Sequence, residues 1–199
     1  MSLLFEAGRE VSAFCSERGW KFCLIGGVAL QRWGEPRFTR DVDLTIVTGF
    51  GGEGTVIHQV LSHFESRVSG AAAFAMQSRV LLVKTSSGIP IDISLGGLPF
   101  EERMIERSTV WDPSENLALR TCSAEDLIVL KAFAGRPQDW VDIERVAVRQ
   151  AGKLAEALIL EELSPLLELK DDTASAERLR GILAAAASVA KTDQQVRVA

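Results

Sequence analysis

Cysteine and histidine are scarce in this 199-residue chain, with three of the first and two of the second. Cys15, Cys23 and Cys122 are odd in number and widely spaced, which speaks against a disulfide framework or a clustered zinc site and leaves them as small buried apolar groups. His58 and His63 miss the one-turn helical spacing that would let both grip one metal, and surface or locally satisfied roles are expected for them. No apolar stretch approaches the roughly 20 residues of a membrane-spanning helix, so no membrane association is expected. The opening from Met1 to Glu10 lacks the charged-then-apolar order of a secretory signal, and a cytoplasmic location is the expectation. Positive charge is also short. Lys and Arg number 22 against 27 Asp and Glu, a formal net charge of −5 that argues against a broad nucleic-acid-binding surface and leaves only a local one open.

What remains is ordinary globular material, 47% hydrophobic and 25% charged, long enough for one good core or a main domain with a smaller appendage. Leu4, Ala7, Val11 and Phe14 fall at helical spacing and open the chain with an amphipathic helix. Phe22 to Ile25 is an apolar run that stops at Gly26 and Gly27. Val28 to Trp33 then reads as a short helix, and Asp41-Val42-Asp43-Leu44-Thr45-Ile46-Val47 as a second strand. Alternation along that strand puts Asp41 and Asp43 on one face, about 7 Å apart. Two carboxylates that must find a polar partner are costly to leave unpaired, and a divalent cation is a natural one. The glycines let the backbone bend sharply and approach a phosphate, with a helix N-terminus behind them.

This order of features (apolar strand, Gly26-Gly27, short helix, Thr39-Arg40, then Asp41-x-Asp43 opening an apolar strand) resembles the nucleotidyltransferase superfamily typified by DNA polymerase beta. Within it the chain is most similar to the AbiEii-type nucleotidyltransferase toxins of bacterial toxin–antitoxin systems. The resemblance implies a mixed β-sheet flanked by helices, Mg2+ or Mn2+ at the acids and a nucleoside triphosphate as substrate. It further implies an RNA acceptor, tRNA ends above all, and a partner antitoxin.

A two-metal site calls for a further acid on a neighbouring strand. Arg79 to Thr85 and Ile89 to Leu95 flank Ser86-Ser87-Gly88 and read as a hairpin. Asp92, between Ile91 and Ile93, points away from the face that buries them. In the resembling family a third acid arrives on such a strand to complete the metal triad; an outward, solvated aspartate is the bland alternative. Pro90 suits an edge or a bulge better than a central strand. Asp41 and Asp43 would then hold the nucleotide metal and Asp92 join them around a second ion, about 4 Å away. Gly26 and Gly27 would present N–H groups to the outer phosphates, with Thr39 and Arg40 adding donors. Arg32, Arg37 and Arg40 make a basic stretch opposed only by Glu35, suited to phosphates or an RNA, or else simply a solvated loop.

Past about residue 120 the pattern turns helical, so the expected organisation is an α/β (α+β) catalytic core over 1–120 and a helical bundle over 121–199. Ser123-Ala124-Glu125-Asp126 resembles a capping box, Gly135 ends the helix it opens, and Pro137 precedes another. Leu154 to Leu169, interrupted by Pro165, and Ala176 to Ala190 are further helices, with Thr192 to Ala199 frayed. Lys131, in an otherwise apolar helix, must snorkel out or meet an anion. Asp139 and Asp142 lie one helical turn apart. The toxin-like family carries a lysine and then an Asp-x-x-Asp stretch here. By resemblance Lys131 contacts the triphosphate, and Asp139 and Asp142 support catalysis or orient the lysine. A structural ion pair between two helices is the competing reading. Two other functions stay open: nucleotidyl transfer to a small molecule such as an aminoglycoside or to a protein side chain, and a non-catalytic nucleotide-binding module.

Overall fold

The computed structural model describes residues 3–114 and 117–198. The chain forms two compact units, Met1–Ala29 with Phe38–Cys122, and Leu30–Arg37 with Ser123–Ala199. It passes from one to the other inside a helix, returns at Phe38 and leaves again at Ser123.

The first unit is an α/β structure built on a mixed seven-stranded sheet. Its helices are α1 (Leu3–Glu17), the start of α2 (Gly26–Trp33), α3 (Glu53–Leu61), α4 (Ala71–Ser78) and α5 (Pro99–Arg107). Its strands are β1 (Phe22–Leu24), β2 (Val42–Val47), β3 (Glu65–Ser66), β4 (Val80–Lys84), β5 (Pro90–Gly96), β6 (Thr109–Trp111) and β7 (Leu119–Thr121), in the order β3-β4-β5-β2-β1-β7-β6. β2 and β5 run parallel in continuous register from Val42↔Ile91 to Val47↔Gly96. β4 and β5 form the expected antiparallel hairpin, closed by the Thr85 N–H on Ile89 O and by Gly88 at φ 84°. β5 is an interior strand. Pro90 is tolerated there because it is the strand's first residue, where a missing N–H interrupts the ladder least.

Alternation sorts the two faces. Leu81, Val83, Ile91, Ile93, Val42, Leu44 and Ile46 are all fully buried in one apolar cluster that also takes Leu4, Ala7, Val11 and Phe14 from α1. Each such side chain contributes about 1.5–3 kcal/mol over leaving it in water. The intervening positions, Asp43 and Asp92 among them, belong to the other face. Cys15, Cys23 and Cys122 are buried free thiols, and burial pushes Cys15 up to about 12 against the pull of Arg18. His63 stacks on Phe14, ring centroids 4.8 Å apart.

The second unit holds α6 (Ala124–Ala134), α7 (Pro137–Arg149), α8 (Glu156–Lys170) and α9 (Ala174–Val198), making nine helices in all among the described residues. Leu127, Ile128, Ile143, Val146, Ile159, Leu163 and Leu179 form its apolar interior. Ser123 caps α6 by accepting from the Asp126 N–H, and Gly135 ends it at φ 67°. Two features differ from expectation. α8 runs unbroken through Pro165, whose exposed position lets water meet the carbonyl that loses its partner. α9 stays helical through Val198, and only the last residue of the expected frayed tail, Ala199, lies outside the described residues. Residues 30–37 join α7 through Gln150, which donates to Trp33 O at 2.9 Å, and through Arg149, which donates to Gly34 O. No helix among the described residues is long and apolar enough to cross a membrane.

Candidate active site

Asp43 and Asp92 are register partners on the parallel pair β2–β5, so both side chains leave the same face at neighbouring positions. Asp41 lies just before β2. One carboxylate oxygen from each of the three lies within 4.8 Å of the others, and all three residues are half-buried. Three hard oxygen donors on short side chains, converging at this distance, suit a small divalent cation such as Mg2+ or Mn2+. Burial, reinforced by the Asp41 charge, holds the Asp92 carboxyl above the usual carboxylate range, against the pull of Arg67.

The glycines serve this site more closely than a turn would require. Gly26 sits at φ +53°, and a Cβ there would fall 2.0 Å from Asp43 Oδ2; one on Gly27 would fall 2.4 Å from Thr39 Oγ1. The Gly27 N–H donates to Asp43 Oδ2 at 3.3 Å, and the Thr39 hydroxyl donates to Asp41 Oδ1 at 3.0 Å. The close approach that these residues permit is thus to the acids themselves, which the loop orients. Arg40 lies over the exposed Phe38 ring, 5.6 Å from its centroid.

Lys131, Asp139 and Asp142 come together in the second unit. Lys131 Nζ donates to Asp142 Oδ2 at 2.7 Å and to Asp139 Oδ1 at 3.3 Å. Asp142 has no exposure, and it also accepts from Arg37 Nε at 3.2 Å, Arg37 Nη2 at 3.2 Å and Gln138 Nε2 at 3.1 Å. Burial alone would raise the Asp142 carboxyl; Lys131, Arg37 and Gln138 together outweigh it and hold the group below the usual range. Asp139 accepts from the Arg136 N–H and from Arg136 Nε, which fixes the first turn of α7. Lys131 therefore meets anions rather than snorkelling out. Arg37 is engaged by Asp142 rather than lying in a solvated loop.

One residue at the acid site carries no sequence signal. Arg67, just after β3, forms an ion pair with Asp92 Oδ1. Only the pairing of the short strand β3 with β4 brings it there, and a two-residue strand leaves no periodicity to read.

Residues 13–194 match the family described as "Nucleotidyl transferase AbiEii toxin, Type IV TA system". The chain belongs to this family. Among solved structures, an antigenic nucleotidyltransferase-like protein from Paracoccidioides brasiliensis is similar with a TM-score of 0.52 at 18% identity, over 89% of this chain and 92% of that one. The lincosamide antibiotic adenylyltransferase LnuA, with lincomycin bound, gives 0.46 at 12% identity, over 69% of this chain and 92% of its own. The antibiotic-resistance factor ANT(2'')-Ia gives 0.45 at 15% identity, over 97% and 96%. No match is found among curated proteins. At 18% identity the first likeness bears on the fold alone, which is that of a nucleotidyltransferase. As a member of the AbiEii family the protein is a nucleotidyltransferase.

Proposed function

We propose that this AbiEii-family protein transfers a nucleoside monophosphate from a nucleoside triphosphate to a hydroxyl of RNA, at tRNA ends, as the toxin of a toxin–antitoxin pair in the cytoplasm. The observation that carries the reading is the convergence of Asp43 and Asp92 from the β2–β5 pair with Asp41 from just before β2. Asp41 and Asp43 would hold the cation that arrives with the triphosphate, and Asp92 would share a second. Bound there, Mg2+ or Mn2+ supplies charge neutralisation for the triphosphate and for the departing pyrophosphate. The acceptor oxygen bonds to the α-phosphorus while the α–β phosphoanhydride bond breaks. The acceptor's proton passes to a nearby carboxylate, for which Asp92 is the candidate. Gly27 and Thr39 keep the acids aimed through the hydrogen bonds they donate. Gly26, Gly27, Thr39 and Arg40 would line the phosphate side of this reading, Gly27 and Thr39 while already donating to the acids.

By family resemblance Lys131 would supply positive charge to the triphosphate, with Asp139 and Asp142, its hydrogen-bond partners, orienting it. The toxin role, and with it an antitoxin that opposes the enzyme, rests on family membership. A second reading keeps the chemistry and takes a cationic small molecule such as an aminoglycoside as acceptor, which the net charge of −5 favours.

The test offers the purified protein each of the four α-labelled nucleoside triphosphates with Mg2+ or Mn2+, against total tRNA and a panel of aminoglycosides. Label on tRNA, lost in Asp41→Ala/Asp43→Ala, is the expected result. Label on an aminoglycoside instead moves the assignment to the second reading. Metal-dependent nucleotide binding without transfer to either acceptor overturns both of these acceptor assignments and points to another acceptor, such as a protein side chain, or to a binding module. Induced expression should slow growth, and Asp43→Ala should relieve it.

A further inference from the structure

Arg67 is placed at the acid site by register. Ser66 pairs with Val83, and the Arg67 N–H donates to Leu82 O at 3.0 Å, so Arg67 continues the ladder opposite Leu82. Leu82 pairs with Asp92, and Asp92 with Asp43. These four residues form one row across β3, β4, β5 and β2, and residues of one row project from the same face of a sheet. Two strand spacings separate Arg67 from Asp92, about 10 Å at the backbone, a gap that only a long side chain spans. The Ser66 hydroxyl secures this corner by donating to Val68 O at 2.6 Å and accepting from the Val68 N–H at 3.1 Å. The guanidinium then reaches Asp92 Oδ1, with the two side chains 28% and 32% exposed.

We infer that Arg67 is the resident counter-ion of Asp92 and competes with the divalent cation for that carboxylate, so that it sets the metal affinity of the site. The inference rests on the metal-binding reading of Asp41, Asp43 and Asp92. Three carboxylates held this close repel one another, and a guanidinium on one of them reduces the formal charge of the group from −3 to −2. A neutral donor behind a ligating carboxylate commonly supports metal binding by orienting the ligand. Arg67 differs in being a full positive charge on an oxygen that the cation also needs. A dication approaching Asp92 meets like-charge repulsion until the guanidinium moves aside. The chain loses a half-exposed ion pair when it does, a modest cost that leaves the exchange reversible. The orienting role and the competing role therefore predict opposite signs for the loss of Arg67.

Mn2+ binding to the full chain, read from the electron paramagnetic resonance signal of free Mn2+, separates them without reference to turnover. The comparison covers the unsubstituted protein, Arg67→Met, Arg67→Gln, Asp92→Asn, Arg67→Met/Asp92→Asn and Asp41→Ala/Asp43→Ala, each checked for folding by thermal melting. Removing the competing charge should tighten Mn2+ binding by about fivefold in both Arg67→Met and Arg67→Gln. The gain should vanish in the Asp92→Asn background. Unchanged or weaker binding by the folded Arg67 variants overturns the inference. If binding by the unsubstituted protein is at the same time lost in Asp41→Ala/Asp43→Ala, the metal site itself stands. Absence of Mn2+ binding in every form overturns both.

Discussion

At Gly26 the left-handed backbone and the Asp43 carboxylate together occupy the space that a methyl group would need. Gly26→Ala should destabilise the protein by about 1–2 kcal/mol from backbone strain alone. It should also displace Asp43, so nucleotidyl transfer is expected to fall much further than stability does. Urea unfolding and label transfer measured on the same preparation check this, and an alanine variant with unaltered transfer would show that the close approach is dispensable. Gly26 and Gly27, Thr39, Asp41 and Asp43 are legible in the sequence because they lie within a short stretch where strand alternation and loop composition speak directly. Asp92 is legible for a related reason, since Ile91 and Ile93 mark the buried face on either side of it. Arg67 is not, because its place depends on a row across four strands that no local pattern encodes. The closeness of Gly26 to Asp43 is hidden likewise: a glycine pair before a helix suggests a phosphate, and only the folded chain brings the carboxylate there.

Among the elements, the β4–β5 hairpin and the capped start of α6 follow from short-range signals, while β6 and β7 do not. The strands β6 and β7 are three residues each, too short for alternation to stand out, and exist because neighbouring backbone groups need partners. Proline misleads in α8 because its penalty depends on exposure, which a linear sequence does not display. Pro165→Ala should restore one backbone hydrogen bond in α8 and stabilise the protein by about 1–3 kcal/mol. An unchanged or lower urea midpoint would show that the proline is better adapted than the helix geometry implies. The α6–α7 pair supplies a pH test. The folded Asp142 carboxyl lies below its unfolded value of about 3.9, so its ionised form stabilises the protein. That contribution is present in full above about pH 5 and is lost as the pH falls through the unfolded value toward the folded one. Asp142→Asn should lower stability by about 3–5 kcal/mol at pH 7, because it breaks a buried pair with Lys131. The gap between variant and parent should close as the pH falls below 4. A gap that stays constant from pH 7 to pH 3 would mean that the ion cluster is not what the variant removes.

Over the whole molecule, a net charge of −5 constrains how an RNA acceptor can be held. Long-range electrostatics oppose the approach of a polyanion, so binding must rely on a few local contacts rather than on a basic surface. Of the three arginines that the sequence places near the acids, Arg37 is already committed to Asp142, Arg32 stacks on Trp33 with its guanidinium 4.1 Å from the ring centroid, and Arg40 lies over Phe38. A protein that neutralises one or two phosphates of a single-stranded end loses affinity with a slope of about −0.7 per contact in log salt. With tRNA as the acceptor, as proposed, raising monovalent salt from 50 to 200 mM should therefore raise its KM by less than about tenfold, with kcat little changed. A cationic aminoglycoside acceptor would also weaken with salt, but excess tRNA would not compete with it. A loss of a thousandfold or more would require several neutralised phosphates, and with them a basic surface that this composition argues against. Steady-state transfer at four salt concentrations, with the triphosphate held saturating, decides between a local grip on an RNA end and an extended one.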